Sequence, residues 1–302
     1  MEASELARAV AAGKSTASSL GLDADEAVVL HNSNRLTLRL LPCDVLARVA
    51  PAAIRAGAAF EVALARQLAA TDSPVAPLDP RVEPRVYDLD GFATTLWTYH
   101  EPVAAGDVEP RDYAQALERH HRGLRQVDLA VPHFTDRVAE AQRLVDNSAN
   151  SPELAADDRA LLSHSLRTLG GTIADRGGPE QLLHGEPHAG NLLQTTSGLL
   201  FIDLETCCRG PVEFDIAHCS RVSSARPGRP WYLDVRMPDE VAAHYPAADP
   251  ELVRTCWVLM LAMVAAWRWD HRDQFPDGLR MGRALLNELR AALDRYGIDV
   301  HS

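Results

Sequence analysis

The chain has 302 residues, an apolar fraction of 46% and a formal net charge of −12, which suits one large globular domain or two lobes. That acidity argues against non-specific binding to nucleic acid, which needs a basic face to displace counterions, and is compatible with a cationic ligand. The five cysteines form an odd, unpatterned set with no secretory leader before them, and Cys207 and Cys208 are adjacent, so the expectation is a reduced cytoplasmic protein.

In chain order, the first third reads as short strands around one helix. AVVLH, RLTLRLL and DVLARVA are β-leaning and separated by polar or proline-containing breaks. The alanine-rich AAIRAGAAFEVALARQLAA is expected as a helix that ends before Ser73-Pro74. PRVYDL and GFATTLWTY, divided by an Asp-Gly turn, read as a hairpin. Glu101-Pro102 then marks a boundary, which predicts an N-terminal lobe over 1–101 and a helical lobe over 102–302.

Helical patterns follow in RDYAQALERHHRGLRQV, FTDRVAEAQRLVDN and DDRALLSHSLRTLGGTIADR. QLL, NLLQ and LLFID read as strands, and PVEFDIAHCSRV, PELVRTCWVLMLAMVAAWRW and GLRMGRALLNELRAALDRY as closing helices. The apolar run Cys256 to Trp267 is too short to span a bilayer and suits a buried helix, so no membrane association is expected. Trp257, Trp267 and Trp269 are assigned to that core. The fold class is α+β, with a small β-rich lobe, a hinge and a larger helical lobe.

The stretch LLHGEPHAGNLLQ concentrates polar and turn-forming residues between two strand patterns. A zinc protease would need H-E-x-x-H on an unbroken helix, and the Gly185 and Pro187 beside Glu186 oppose one. A zinc deaminase would need P-C-x-x-C after H-x-E, and Cys207-Cys208 have neither the proline nor the spacing. A kinase-type catalytic loop places a carboxylate for the acceptor hydroxyl and, five residues later, an amide for a metal ion; Glu186 and Asn191 have that spacing. The hairpin NLLQTTSGLLFID should return Asp203 nearly opposite Asn191, giving two oxygen ligands suited to Mg²⁺. GKST around Lys14, the only lysine, mimics a P-loop, but Arg8 stands where the first glycine is required.

Across HGEPHAGN and FIDLETCCRGPVEFDIAH the sequence resembles the aminoglycoside phosphotransferase-like family of small-molecule kinases, whose hallmarks are His-Gly-Asp-x-x-x-x-Asn, Ile-Asp-x-Glu and Gly-Pro-x-x-x-Asp-Leu-Ala. The resemblance implies a bilobal protein-kinase-like fold and transfer of the γ-phosphate of ATP, with GTP as an alternative donor, to a hydroxyl of a small molecule in the presence of Mg²⁺. It implies Glu186 as the catalytic carboxylate, Asn191 and Asp203 as metal ligands, Asp215 as a brace of the loop backbone and His184 as a structural loop member. More weakly, it implies Ser33 and Asn34 near the phosphates, Arg48 as the phosphate-contacting cation with Glu61 as its partner, and Thr98, Tyr99 and His100 as the adenine-pairing hinge. Glu205 could support the metal through water, His188 either faces the acceptor or bonds to backbone, and Asp234, Asp239 and Asp270 are candidates to recognise an amine.

Two departures bear on mechanism: Glu186 replaces the family's aspartate and Arg48 its usual lysine. A loose phosphoryl-transfer transition state asks mainly for positioning and charge neutralisation, which a longer carboxylate can supply. The alternative is a catalytically weak or silent nucleotide-binding protein with a regulatory role. A protein kinase is disfavoured, because Gly210-Pro211 follows Glu205 too closely for an activation segment.

Overall fold

An antiparallel sheet of five strands organises the first hundred residues: β1 (Ala24–Asn32), β2 (Leu36–Pro42), β3 (Val45–Pro51), β4 (Tyr87–Leu89) and β5 (Phe92–Thr98), in the spatial order β1-β2-β3-β5-β4. The computed structural model describes residues 3–103, 106–176, 178–221, 236–273, 275 and 277–300. Two compact units divide the chain. The smaller comprises Met1–Val103, Arg122–Leu129 and Leu193–Glu205, and the larger Ala104–His121, Ala130–Leu192 and Thr206–Ser302.

In the smaller unit, period-two alternation does the work the strand patterns promise. Leu36, Leu38 and Leu40 of β2 and Val45, Ala47 and Val49 of β3 are fully buried on one face. A helix the sequence reading did not anticipate, α1 (Ala3–Ser19), covers that face. Its fully buried apolar residues are small (Ala9, Ala12 and Ala17), and Leu6 and Val10 pack partly buried on the same face. Those small residues permit a close approach: a Cβ on Gly13 would stand 3.1 Å from both Leu38 and Val49. The expected helix after β3 is α2 (Arg55–Leu68), preceded by a 3₁₀ turn over Ala52–Ile54. β4 is shorter than the pattern PRVYDL suggested; only Tyr87–Leu89 pair with β5.

The hairpin after the catalytic-loop motif consists of β7 (Leu192–Thr195) and β8 (Gly198–Phe201). Asn191 closes a 3₁₀ turn before β7 rather than opening the strand. Asp203 does not end the return strand either: β8 stops at Phe201, whose amide donates to Pro74 O (2.7 Å) and whose carbonyl accepts from Ala76 N (3.0 Å). Asp203 follows in the left-handed region at φ 66°, which few non-glycine residues adopt.

The larger unit contains α3 (Pro110–Leu124) as far as His121, and α4 (Phe134–Asp146), α5 (Ala156–Asp175), α6 (Val212–His218), α7 (Met237–Ala242), α8 (Pro250–Arg268) and α9 (Gly278–Tyr296), with α7 unanticipated. A short antiparallel pair, β6 (Gln181–Leu183) and β9 (Cys208–Gly210), brackets the loop motif. Helix α8 is capped by Asp249, whose carboxylate accepts from Glu251 N (2.9 Å) and Leu252 N (3.3 Å). As a whole helix it is long and apolar enough to cross a membrane, contrary to the estimate from the shorter apolar run. Its contacts explain that composition differently: Trp257, Leu259, Leu261 and Met263 are buried in the core shared with α4, α5, α6 and α9. Trp257 and Trp269 are buried and Trp267 packs partly buried against the same cluster. The sheet-based unit and the helical unit make the chain α+β.

Candidate active site

β6 delivers the chain into a turn that only glycine can make. Gly185 has φ 88°, and a Cβ there would lie 2.1 Å from the carbonyl oxygen of Thr206. The loop is then anchored from several helices of the larger unit. The fully buried carboxylate of Asp215, in α6, accepts hydrogen bonds from the amides of His184 and Gly185, both at 2.8 Å. It also meets His121 Nε2 at 2.9 Å, and His121 Nδ1 meets the Tyr245 hydroxyl at 2.8 Å. Burial alone would raise the Asp215 pKa; the His121 hydrogen bond, followed by the charges of His121, His184 and His218, brings it down to about 2. Tyr113 donates its hydroxyl to Pro187 O, and Ala189 N donates to Ser220 Oγ (3.2 Å).

Glu186 is presented at the mouth of this loop, with about a quarter of its side chain exposed. Its carboxylate pairs with Arg137 of α4, and the other arm of that guanidinium donates to Gly185 O (3.1 Å). The guanidinium also lies over the Trp267 ring, 5.4 Å from its centroid. Burial pushes the Glu186 pKa up, but Arg137, then His188 and His218, more than offset this and hold it below the usual carboxylate range. Asn191 donates its side-chain amide to Glu186 O (3.0 Å), which leaves Oδ1 as the atom suited to a cation. His188 Nδ1 accepts from Gly190 N (3.1 Å), the backbone-bonded of its two readings.

In the smaller unit, Glu61 of α2 is almost fully buried and accepts two arginines. Arg48 of β3 pairs with one of its oxygens and with Asp203 Oδ1 (2.8 Å). Arg35, just before β2, bonds the other Glu61 oxygen (3.0 Å) and pairs with Glu205. Leu204 N donates to Glu61 (3.2 Å), so the segment after β8 is tied to α2 by backbone as well as charge. Burial lowers the Arg35 pKa despite Glu61; for Arg48 burial acts the same way, but Glu61 and Asp203 overcome it and raise the value. The Arg48–Glu61 pair is therefore interior, not the surface ion pair that chance would favour.

Ser33 and Asn34 lie at the tip between β1 and β2, where Ser33 N donates to Arg35 O (3.0 Å). Thr98 ends β5 and donates its amide to Pro77 O (3.0 Å). Tyr99 lies under the Arg39 guanidinium (3.9 Å to the ring centroid) and donates to Glu101 (3.0 Å), and the half-buried His100 has no hydrogen-bond partner for Nε2 among the described residues. Asp239 is engaged by Arg254 and Asp270 by Arg272, while Asp234 lies outside the described residues. None of the five cysteines is in a disulfide, and burial, then the charge of Asp215, pushes the Cys208 thiol up to about 12.

Among the described residues no group of three or more His, Cys, Asp or Glu side chains could hold a metal ion. Asn191 in the larger unit, and separately Asp203 and Glu205 in the smaller, carry oxygen donors of the kind Mg²⁺ prefers. Sequence reasoning missed Arg35 and Arg137. Arg35 directly follows Ser33-Asn34 and was within reach of notice; Arg137 stands 49 residues before Glu186, with no local signal of its partner.

The chain matches the APH phosphotransferase enzyme family over residues 20–250. No curated protein matches it by sequence. Similar solved structures include a choline kinase LicA from Streptococcus pneumoniae, at 14% identity and TM-score 0.66, covering 94% of this chain and 98% of that one. An amicoumacin kinase, hAmiN, solved with AMP-PNP, Ca²⁺ and Ami, gives 12% identity and TM-score 0.70 over 98% of both chains. A Plasmodium vivax ethanolamine kinase gives 13% identity and TM-score 0.64 over 90% of this chain and 84% of its own. At such identities the likeness concerns the fold, which is that of the protein-kinase-like small-molecule kinases.

Proposed function

The chain belongs to the APH phosphotransferase enzyme family, and from that premise we propose that it transfers the γ-phosphate of ATP, in the presence of Mg²⁺, to a hydroxyl of a small molecule. The observation that carries the reading is the braced loop. Asp215 holds the amides of His184 and Gly185, and the loop then offers a carboxylate, Glu186, and an amide, Asn191, at kinase spacing. In the step itself the acceptor oxygen forms a bond to the γ-phosphorus as the bond to the β,γ-bridging oxygen breaks. Glu186 accepts the hydroxyl proton and ADP leaves. Asn191 and Asp203 are the residues that would hold Mg²⁺, which would neutralise charge on the β- and γ-phosphates. Ser33, Asn34 and Arg48 would contact the phosphates, Glu61 would hold Arg48, and Thr98 to His100 would pair with the base.

An acceptor that also carries a cationic nitrogen agrees with the acidic chain and with the choline and ethanolamine kinases of the same fold. The test is transfer of labelled phosphate from ATP, or GTP, to a panel of amino alcohols, aminoglycosides and sugars. Calorimetry of Mg-nucleotide binding to wild type and Asp203→Ala accompanies it, with binding expected to be lost in the variant; undiminished binding would remove Asp203 from the metal site.

One observation favours a second reading. Glu186 is already ion-paired with Arg137, as a carboxylate retired from catalysis could be. A nucleotide-binding protein without transfer would show ATP-dependent thermal stabilisation and no labelled product from any acceptor.

A further inference from the structure

Resting on the phosphotransfer reading, we infer that Arg137 is the positioning residue that makes glutamate, rather than aspartate, the working carboxylate of this loop. The ion pair is then part of the catalytic apparatus and no sign of its retirement.

Three features of Arg137 separate it from an ordinary ion pair. First, its fork engages two consecutive residues of the loop, Gly185 through the backbone carbonyl (3.1 Å) and Glu186 through one carboxylate oxygen. A planar fork that reads both a main-chain and a side-chain oxygen fixes the direction of the side chain relative to the backbone that carries it. Second, Arg137 is itself held. It follows immediately on the box that starts α4, in which His133 N donates to Asp136 (2.8 Å) and the His133 ring accepts from Thr135 N. Its guanidinium rests on Trp267 of α8. Third, only 12% of its side chain is exposed, whereas Arg55–Asp88 and Arg280–Asp277 are pairs with both partners about half exposed or more. Burying a charge is costly unless the geometry of the pair is fixed, so a pair in this position constrains its members as surface pairs do not.

Glutamate has one more rotatable bond than aspartate, and an untethered carboxylate at that length would sample many positions. With one oxygen tied to Arg137, the second is the oxygen left to receive the hydroxyl proton. The added methylene and the arginine therefore form a matched set: an aspartate would fall short of Arg137, leaving a buried guanidinium without its carboxylate.

The test uses the full-length chain and the acceptor that gives transfer in the panel. Glu186→Asp and Arg137→Met should each lower kcat about 10²-fold, the scale of a misplaced reacting group, while KM for Mg-ATP stays within about twofold. The double variant should be little worse than either single one, because both remove the same arrangement. Arg137→Lys, which keeps the charge but not the fork, should recover part of the loss in Arg137→Met. A Glu186→Asp enzyme as fast as wild type or faster overturns the inference, even if Arg137→Met does not fold. So does an Arg137→Met enzyme with unchanged kcat, or losses that multiply in the double variant. Absence of transfer from wild type to every acceptor is a different outcome: it removes the phosphotransfer reading itself, and this inference with it.

Discussion

Gly185 occupies a position where backbone conformation and space agree on one residue. Its φ of 88° is unfavourable for an L side chain, and Thr206 O stands where a Cβ would be. The conformational penalty alone is on the order of 1–3 kcal/mol, and the clash with a main-chain atom cannot be relieved by rotating a side chain. Gly185→Ala should therefore lower the melting temperature measurably and, by moving Glu186, reduce any transfer activity; a variant with wild-type melting and rate would show that the loop relaxes freely. The same residue-scale logic explains why Glu61 is not exchangeable. It accepts Arg35, Arg48 and the Leu204 amide at once, so truncating it would strip two interior guanidinium groups of the buried carboxylate they share and leave each only its more exposed partner, Glu205 or Asp203.

At the scale of the element, α1 shows how small residues let a helix sit close on a sheet. Its fully buried contacts with the sheet come through small residues, with Leu6 and Val10 packed partly buried beside them, and the short separation the small residues allow is what seats it on Leu36, Leu38 and Val49. Ala12 is 1% exposed in that contact. Ala12→Leu should overpack it at a cost of about 1–3 kcal/mol, read as a lower urea midpoint at unchanged slope. An unaltered midpoint would mean that α1 can lift off the sheet without loss. Helix α8 is the opposite case. Its apolar residues face helices on several sides, so it is apolar nearly all round for the same reason a membrane span is, with protein in place of lipid.

At the scale of the whole molecule, buried titratable groups in the larger unit predict how stability follows pH. His120 and His218 are held neutral by burial, His120 additionally by His184 and His121, so the pKa of each is lowered in the folded state. Unfolded, they take up protons as pH falls through about 6.5. Stability is thus fully present above that value and declines below it, by up to about 1.4 kcal/mol per pH unit for each group. Asp215 extends the decline: its folded value of about 2 means that its contribution is present above the ordinary carboxylate range and is lost as pH falls toward 2. Urea denaturation between pH 8 and pH 5 should show the first phase, and His120→Leu should diminish it. A flat profile would mean that these histidines are solvated in the folded protein.

Much of this was legible in the order of residues alone. Alternating leucines and valines predict β2 and β3, and Gly and Pro around Glu186 rule out a helix there, because period and turn chemistry are local properties. The dense motif from Leu183 to His218 likewise sufficed to indicate the family, since its spacings lie within one stretch of chain. Other features were settled only by folding. The α1 contact depends on how closely small residues let a helix approach a sheet, and the end of β8 at Phe201 coincides with a bond to Pro74 O and one from Ala76 N. The pairing of Arg137 with Glu186, and of Arg35 and Arg48 with one glutamate, joins residues far apart in the chain. A charged side chain looks the same in sequence whether it faces water or a buried carboxylate. Its partner, and hence its energy, exists only once tertiary packing has excluded the solvent.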